Sequence, residues 1–152
     1  MLVVIVGCDS NRTYDSYVSV KNNCWLQEDE VTFDIPITDT IQRQHVFINI
    51  RNNKDYEFSN LYLIASMQFP EGMTVVDTLE YEMTDKQGYF LGSGYTDIKE
   101  NKLFYKENVV FPTSGNYIFK VAHAMRKNGN IHGLDSLKGI TDIGLRIESV
   151  TP

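Results

Sequence analysis

The residues of this 152-residue chain that could do chemistry are few, and their spacing fits no catalytic device. The histidines are His45, His123 and His132. The last two stand nine positions apart, which matches no common zinc spacing, and no cysteine pair accompanies them. Gly92-Ser93-Gly94 is not the G-x-S-x-G of a nucleophile elbow, and as a dinucleotide fingerprint it fails at Asp97. Among carboxylates, Asp77, Glu80 and Glu82 share one segment. On a strand, Glu80 and Glu82 would face the same way about 7 Å apart, inside the separation that glycoside hydrolysis uses. Acidic residues on a solvated strand face are common, so this pair weighs little. Trp25, Tyr89, Phe90 and Tyr95 could stack on sugar rings, though aromatic residues more often pack a core. The expectation is a protein that is not an enzyme, with no cofactor and no metal.

One reactive side chain stands out by its setting. The chain opens Leu2-Val3-Val4-Ile5-Val6-Gly7-Cys8-Asp9-Ser10, an apolar run, a small residue, a cysteine and a polar switch. Ile5, Val6, Gly7 and Cys8 resemble the bacterial lipobox. The resemblance implies cleavage before Cys8 and acylation of its thiol and new amine. Several acyl chains at about 0.8 kcal/mol per buried methylene make a stable anchor. No Lys or Arg precedes Arg12, whereas a signal peptide needs a basic start; residues 1–7 are therefore expected to be the remnant of a longer signal. Cys24 is left without a partner and, beside Trp25, reads as a buried thiol.

The elements that must carry these residues are strands. Residues 8–30 are polar and read as a lipidated N-terminus and tether. From Val31 the pattern turns to period two, the mark of half-buried strands. Val31, Phe33, Ile35 and Ile37 alternate with polar partners, and Pro36 assigns this strand to a sheet edge. Further strands are expected over 45–51, 61–69, 73–81, 102–111, 117–123 and 143–147, with a short one near 89–91. A loop over 126–139 has room for a helical turn. Pro70-Glu71-Gly72 makes a hairpin of two of the strands. Gly115-Asn116-Tyr117 resembles the tyrosine corner of many sandwiches. The expected fold is all-β, a two-sheet β-sandwich over 31–152, jelly-roll-like or immunoglobulin-like.

Composition narrows the partners. A formal charge of −6 and a pI near 5.0 argue against nucleic acid. Residues 28–97 hold 13 acids against 4 bases, and residues 98–152 hold 5 against 8. Two faces of opposite charge would suit oriented protein docking. Three polar clusters could form the docking surface: Arg51, Asn52 and Asn53 with Asn60; Asp97, Lys99 and Asn101; His123 with Arg126. Rigid turns account for such residues equally well.

The same clusters carry a resemblance. Cys8-Asp9-Ser10-Asn11-Arg12, Phe47-Ile48-Asn49-Ile50-Arg51-Asn52-Asn53, Val76-Asp77-Thr78-Leu79-Glu80-Tyr81-Glu82-Met83, Asp97-Ile98-Lys99-Glu100-Asn101-Lys102-Leu103, His123-Ala124-Met125-Arg126-Lys127-Asn128-Gly129 and Gly139-Ile140-Thr141-Asp142-Ile143-Gly144 occur in this order. Together they resemble the gliding-motility lipoprotein GldH family of Bacteroidetes. The resemblance implies a membrane-anchored, periplasm-facing envelope lipoprotein without catalytic activity, partnered by gliding and type IX secretion proteins rather than by a small molecule. It also implies a weak O-glycosylation pattern, with Ser136 in the late loop as the best acceptor. The alternative is a carbohydrate-binding lipoprotein of a polysaccharide-uptake system.

Overall fold

Period-two alternation becomes strand almost everywhere it occurs. The computed structural model describes residues 11–94, 96–126 and 133–150. In chain order the strands are β1 (Arg12–Ser19), β2 (Cys24–Leu26), β3 (Val31–Ile37), β4 (Gln44–Asn52), β5 (Asn60–Gln68), β6 (Thr74–Glu82), β7 (Lys99–Val109), β8 (Gly115–His123), β9 (Ser136–Lys138) and β10 (Ile140–Ser149). They form two antiparallel four-stranded sheets, β1-β10-β4-β7 and β3-β8-β5-β6, and a small β2-β9 ribbon. The two large sheets pack as a sandwich. Val46, Ile48 and Ile50 of β4 and Ile143, Leu145 and Ile147 of β10 point inward. They meet Phe33 and Ile35 of β3, Leu61 and Leu63 of β5, and Phe119 and Val121 of β8.

Two local expectations hold in atomic detail. Pro36 lies on β3, an edge strand, where its missing donor costs no ladder bond. The Tyr117 hydroxyl donates to the Thr113 carbonyl at 2.7 Å, closing the corner that introduces β8.

The N-terminal boundary needs correction. Residues 12–26 are not a tether: β1 pairs along β10 from Arg12–Glu148 to Ser19–Asp142, and β2 pairs with β9. An edge strand half open to solvent needs no apolar alternation, because its ladder bonds are backbone and indifferent to side chain. The charge halves are also not two faces. Strands β4, β7 and β10 alternate within one sheet, and β3, β5, β6 and β8 within the other. The segment 83–98 holds only isolated bridges, Thr84 to Phe90 and Ser93 to Glu100, in place of a strand at 89–91. In the loop expected over 126–139, residues 136–138 are β9; a helical turn there would fall on residues 127–132, outside the described ones.

The topology also sorts the connections. β1 begins, β10 finishes, β4 begins and β7 finishes at one end, since Ser149 pairs with Gln44 and Gln44 with Val109. Loops 38–43 and 110–114 cross to the other sheet there, and the β5–β6 turn at 69–73 lies at the same end. The remaining connections lie at the far end.

Candidate functional site

The outer face of the β1-β10-β4-β7 sheet is built by exclusion. Because Val46, Ile48 and Ile50 face the core, the alternate residues His45, Phe47, Asn49 and Arg51 must face out. Register then sets their neighbours. Asn49 stands between Gly144 and Lys102, Arg51 between Asp142 and Glu100, and Phe47 between Arg146 and Phe104. β1 adds Tyr17 beside Gly144 and Asp15 beside Arg146.

Gly144 makes the centre possible. A Cβ there would lie 2.7 Å from Cδ1 and Cε1 of Tyr17, so only glycine lets this ring lie against β10. From that position the Tyr17 hydroxyl donates to Glu100 Oε1 and interacts with the Asn49 amide. The Arg51 guanidinium carbon sits 4.0 Å from the ring centroid, a cation–π contact. Burial, then the bond to Glu100 and its charge, push the Tyr17 phenol up to about 12, against smaller opposing effects of Arg51 and Asn49. It stays a neutral donor at physiological pH.

Around this centre lies an open cleft of about 680 Å³. Its rim is the 91–93 segment, held because Ser93 N donates to the Glu100 carbonyl at 2.9 Å and Glu100 N to that of Ser93 at 2.8 Å. The charges lining it balance: Asp15, Glu82 and Glu100 against Arg51, Lys102 and Arg146. Most are paired. Arg51 Nε lies 3.7 Å from Glu100, and Arg146 Nη1 lies 3.1 Å from Asp15. Arg146 Nε and Lys102 Nζ both reach Glu148, at 2.6 and 2.7 Å. Burial alone would raise the Glu148 carboxyl, but the bonds from Lys102 and Arg146 hold it below its ordinary range. One group is left over. Asn49 Oδ1 is buried and has no hydrogen-bond partner among the described residues. A buried acceptor without a donor costs about 1–3 kcal/mol. With its charges largely paired, the cleft offers little to an ion, and Asn49 Oδ1 lies beneath its surface.

The three sequence clusters do not form one patch. Arg51 and Asn101 line the cleft, but the Asn101 amide turns inward and donates to the Ile50 carbonyl at 2.9 Å and to Asn52 Oδ1 at 2.8 Å. Asn52 and Asn101 are a buried brace between β4 and β7. Asn53 shapes a turn, its Oδ1 accepting from Asp55 N at 2.9 Å. The Asn60 carbonyl accepts from the Tyr56 hydroxyl, and the Lys99 ammonium caps the Gly94 carbonyl. His123 is a core residue. It is buried, its Nε2 lies 3.0 Å from the Trp25 carbonyl, and burial lowers its pKa despite that bond. Asp97 and Arg126 are exposed near the far end. Ser136 is not in a loop but in β9, half-buried opposite Leu26. Cys24 is half-buried, not fully so, and unpaired. Cys8 and Tyr95 lie outside the described residues.

Among the described residues, the candidate aromatics form no exposed row of the kind a sugar platform needs. Trp25 is buried, Phe90 packs toward Tyr56, and Tyr89 is the well-exposed one of the three described candidates. Glu80 and Glu82 are exposed, and Glu80 accepts from the Tyr62 hydroxyl at 3.0 Å. No group of three or more metal-binding side chains occurs among the described residues.

Residues 12–147, nearly the whole described fold, match the family model described as GldH lipoprotein. The chain belongs to the GldH lipoprotein family. It is 47% identical to the gliding motility lipoprotein GldH homolog of Christiangramia forsetii, over 97% of this chain and 90% of that protein. It is 44% identical to gliding motility lipoprotein GldH of Flavobacterium johnsoniae, over 96% and 90%. Among solved structures, the VP2 subviral particle of infectious bursal disease virus is 13% identical with a TM-score of 0.43, covering 90% of this chain and 32% of that one. Latent PorU of Porphyromonas gingivalis is 12% identical with a TM-score of 0.37, covering 91% and 13%. These two likenesses are too slight to carry an argument.

Sequence reasoning reached Arg51 but not Tyr17, Asn49, Gly144, Lys102 or Arg146. Asn49 had a signal: in Phe47-Ile48-Asn49-Ile50-Arg51 the polar residues alternate with isoleucines. Tyr17 had none, because its segment was expected to be tether.

Proposed function

We propose that this GldH-family protein is an envelope lipoprotein of the gliding machinery and its associated type IX secretion apparatus. It is held to a membrane by lipid on Cys8, faces the periplasm and acts without catalysis by docking another envelope protein. The names of both relatives and the lipobox-like run ending at Cys8 support the anchor.

The observation that carries the docking reading is the open cleft on the outer sheet face, lined by Tyr17, Arg51 and Glu100 beside the half-exposed Phe104. The cleft's ionisable groups are paired largely with one another, which suits recognition better than turnover. A partner placed there gains by covering Phe104, which is half exposed.

The two halves of the proposal are tested separately. Cys8→Ala is expected to move the protein from the membrane to the soluble fraction with unchanged thermal unfolding; continued membrane association would sink the anchor. An Arg51→Ala, Glu100→Ala double variant is expected to stay folded and membrane-bound, yet fail to restore movement to a gliding host lacking its own homologue. Full restoration would remove the cleft from the account.

A further inference from the structure

Strand β1 shortens the leash. Only Asp9, Ser10 and Asn11 separate Cys8 from Arg12, where β1 begins. The four steps from Cys8 to Arg12 span at most about 14 Å. The headgroup layer of one leaflet takes roughly 5–7 Å of that. A lipid-anchored Cys8 therefore keeps the start of β1 within about 10 Å of the headgroup surface.

That end carries apolar tips. Ile41 on loop 38–43 is 86% exposed, Met73 on the 69–73 turn 55% and Val110 on loop 110–114 39%. The Ile41 loop is held in shape, because Asp39 Oδ1 accepts from Ile41 N at 2.9 Å and from Gln42 N at 3.0 Å. Met73 and Val110 border an apolar groove of about 340 Å³ that includes Phe69, Val75 and Val109. Charges on the three loops are Asp39, Arg43 and Glu71 alone. The far end is more charged: its connections carry Lys21, Glu28, Asp29, Glu30, Lys54, Asp55 and Glu57 before β5 begins, and its exposed apolar residues, Tyr89, Leu91 and Ile98, follow β6.

We propose that the β1-start end is a membrane-seating surface, with Ile41, Met73 and Val110 placed at the headgroup–acyl boundary of the bilayer that holds Cys8. The inference rests on the lipid anchor proposed above. The leash fixes which end faces lipid, and the exposed side chains supply an apolar contact of the kind interfacial elements use. Seated this way, the protein holds its far loops away from the membrane, and with them the cleft, whose rim is the 91–93 segment of the connection between β6 and β7.

Tryptophan placement tests this in the full-length lipidated protein, reconstituted in phosphatidylcholine vesicles with brominated acyl chains. Ile41→Trp and Val110→Trp are expected to lose most of their added emission, while Tyr89→Trp at the far end keeps it; Trp25 is buried and common to all. If the protein floats with the vesicles but Ile41→Trp and Val110→Trp are quenched no more than Tyr89→Trp, the seating surface is wrong and the anchor stands. If the wild-type protein carries no acyl chain by mass spectrometry and does not float, the anchor reading has failed and the seating falls with it.

Discussion

Replacing Gly144 by alanine adds one methyl group at the centre of the outer sheet face. Its Cβ would lie 2.7 Å from two carbons of the Tyr17 ring and 3.1 Å from the Ser16 carbonyl oxygen. Carbon atoms pack best at about 3.5–4.0 Å, so the ring must retreat by roughly 1 Å. Tyr17 sits on edge strand β1, which can move only by straining its ladder to β10. Overpacking of this kind costs about 1–3 kcal/mol. Restricting the unfolded chain returns about 0.4–1 kcal/mol. The net expectation is a loss of about 1–2 kcal/mol, or a fall in Tm of about 2–8 °C for a domain this size. Displacing Tyr17 also parts its hydroxyl from Glu100 and its ring from Arg51, so partner docking should fall too. The assay is a thermal or urea double-mutant cycle. In a Tyr17→Ala background the ring is gone, and Gly144→Ala should cost almost nothing. An equal cost in both backgrounds, or no cost in the wild type, would refute the ring-against-glycine account.

Other consequences follow from single contacts. Asn101→Ala strips donors from the Ile50 carbonyl and Asn52 Oδ1 and should cost about 2–4 kcal/mol in urea unfolding, while Asn49→Ala, whose Oδ1 bonds nothing, should cost under about 1 kcal/mol. Tyr117→Phe opens the corner onto Thr113 and should cost about 1–2 kcal/mol by the same assay. Burial holds the pKa of His123 below the ordinary 6.5, so on acidification the unfolded chain takes up the proton first. The stability this gives is complete above about pH 6.5 and is lost as pH falls from there toward the lower folded value. The slope of stability against pH between 7 and 5 should therefore flatten in His123→Gln, and an unchanged slope would contradict the assignment.

Much of the sandwich was legible because half-buried strands force apolar residues into alternation, as in Val31 to Ile37 and Tyr117 to His123. Strand β1 was not, since an edge strand held by backbone bonds can be polar on both faces. Ribbon β2-β9 was too short for its pattern to register. The site was harder for a different reason. Asn52, Asn101 and His123 are the residue types of a recognition surface, but register turns all three inward, where they brace the fold. The residue at the cleft's centre meets Gly144 only because β1 returns beside the last strand, and no local pattern connects positions so distant along the chain. The charge asymmetry between the two halves was real in sequence and is diluted in space, because the strand order places β8 among the acidic strands and β4 among the basic ones.

The central claim is that the outer face of the β1-β10-β4-β7 sheet docks an envelope partner. It is tested most directly by photocrosslinking in the native envelope, with benzoylphenylalanine at Leu91 on the cleft rim and at Ile64 on the outer face of the other sheet, both exposed positions. The account predicts a discrete protein adduct from position 91 that disappears with Arg51→Glu, and none from position 64. The same products from both positions, or an adduct at 91 indifferent to Arg51→Glu, would contradict it.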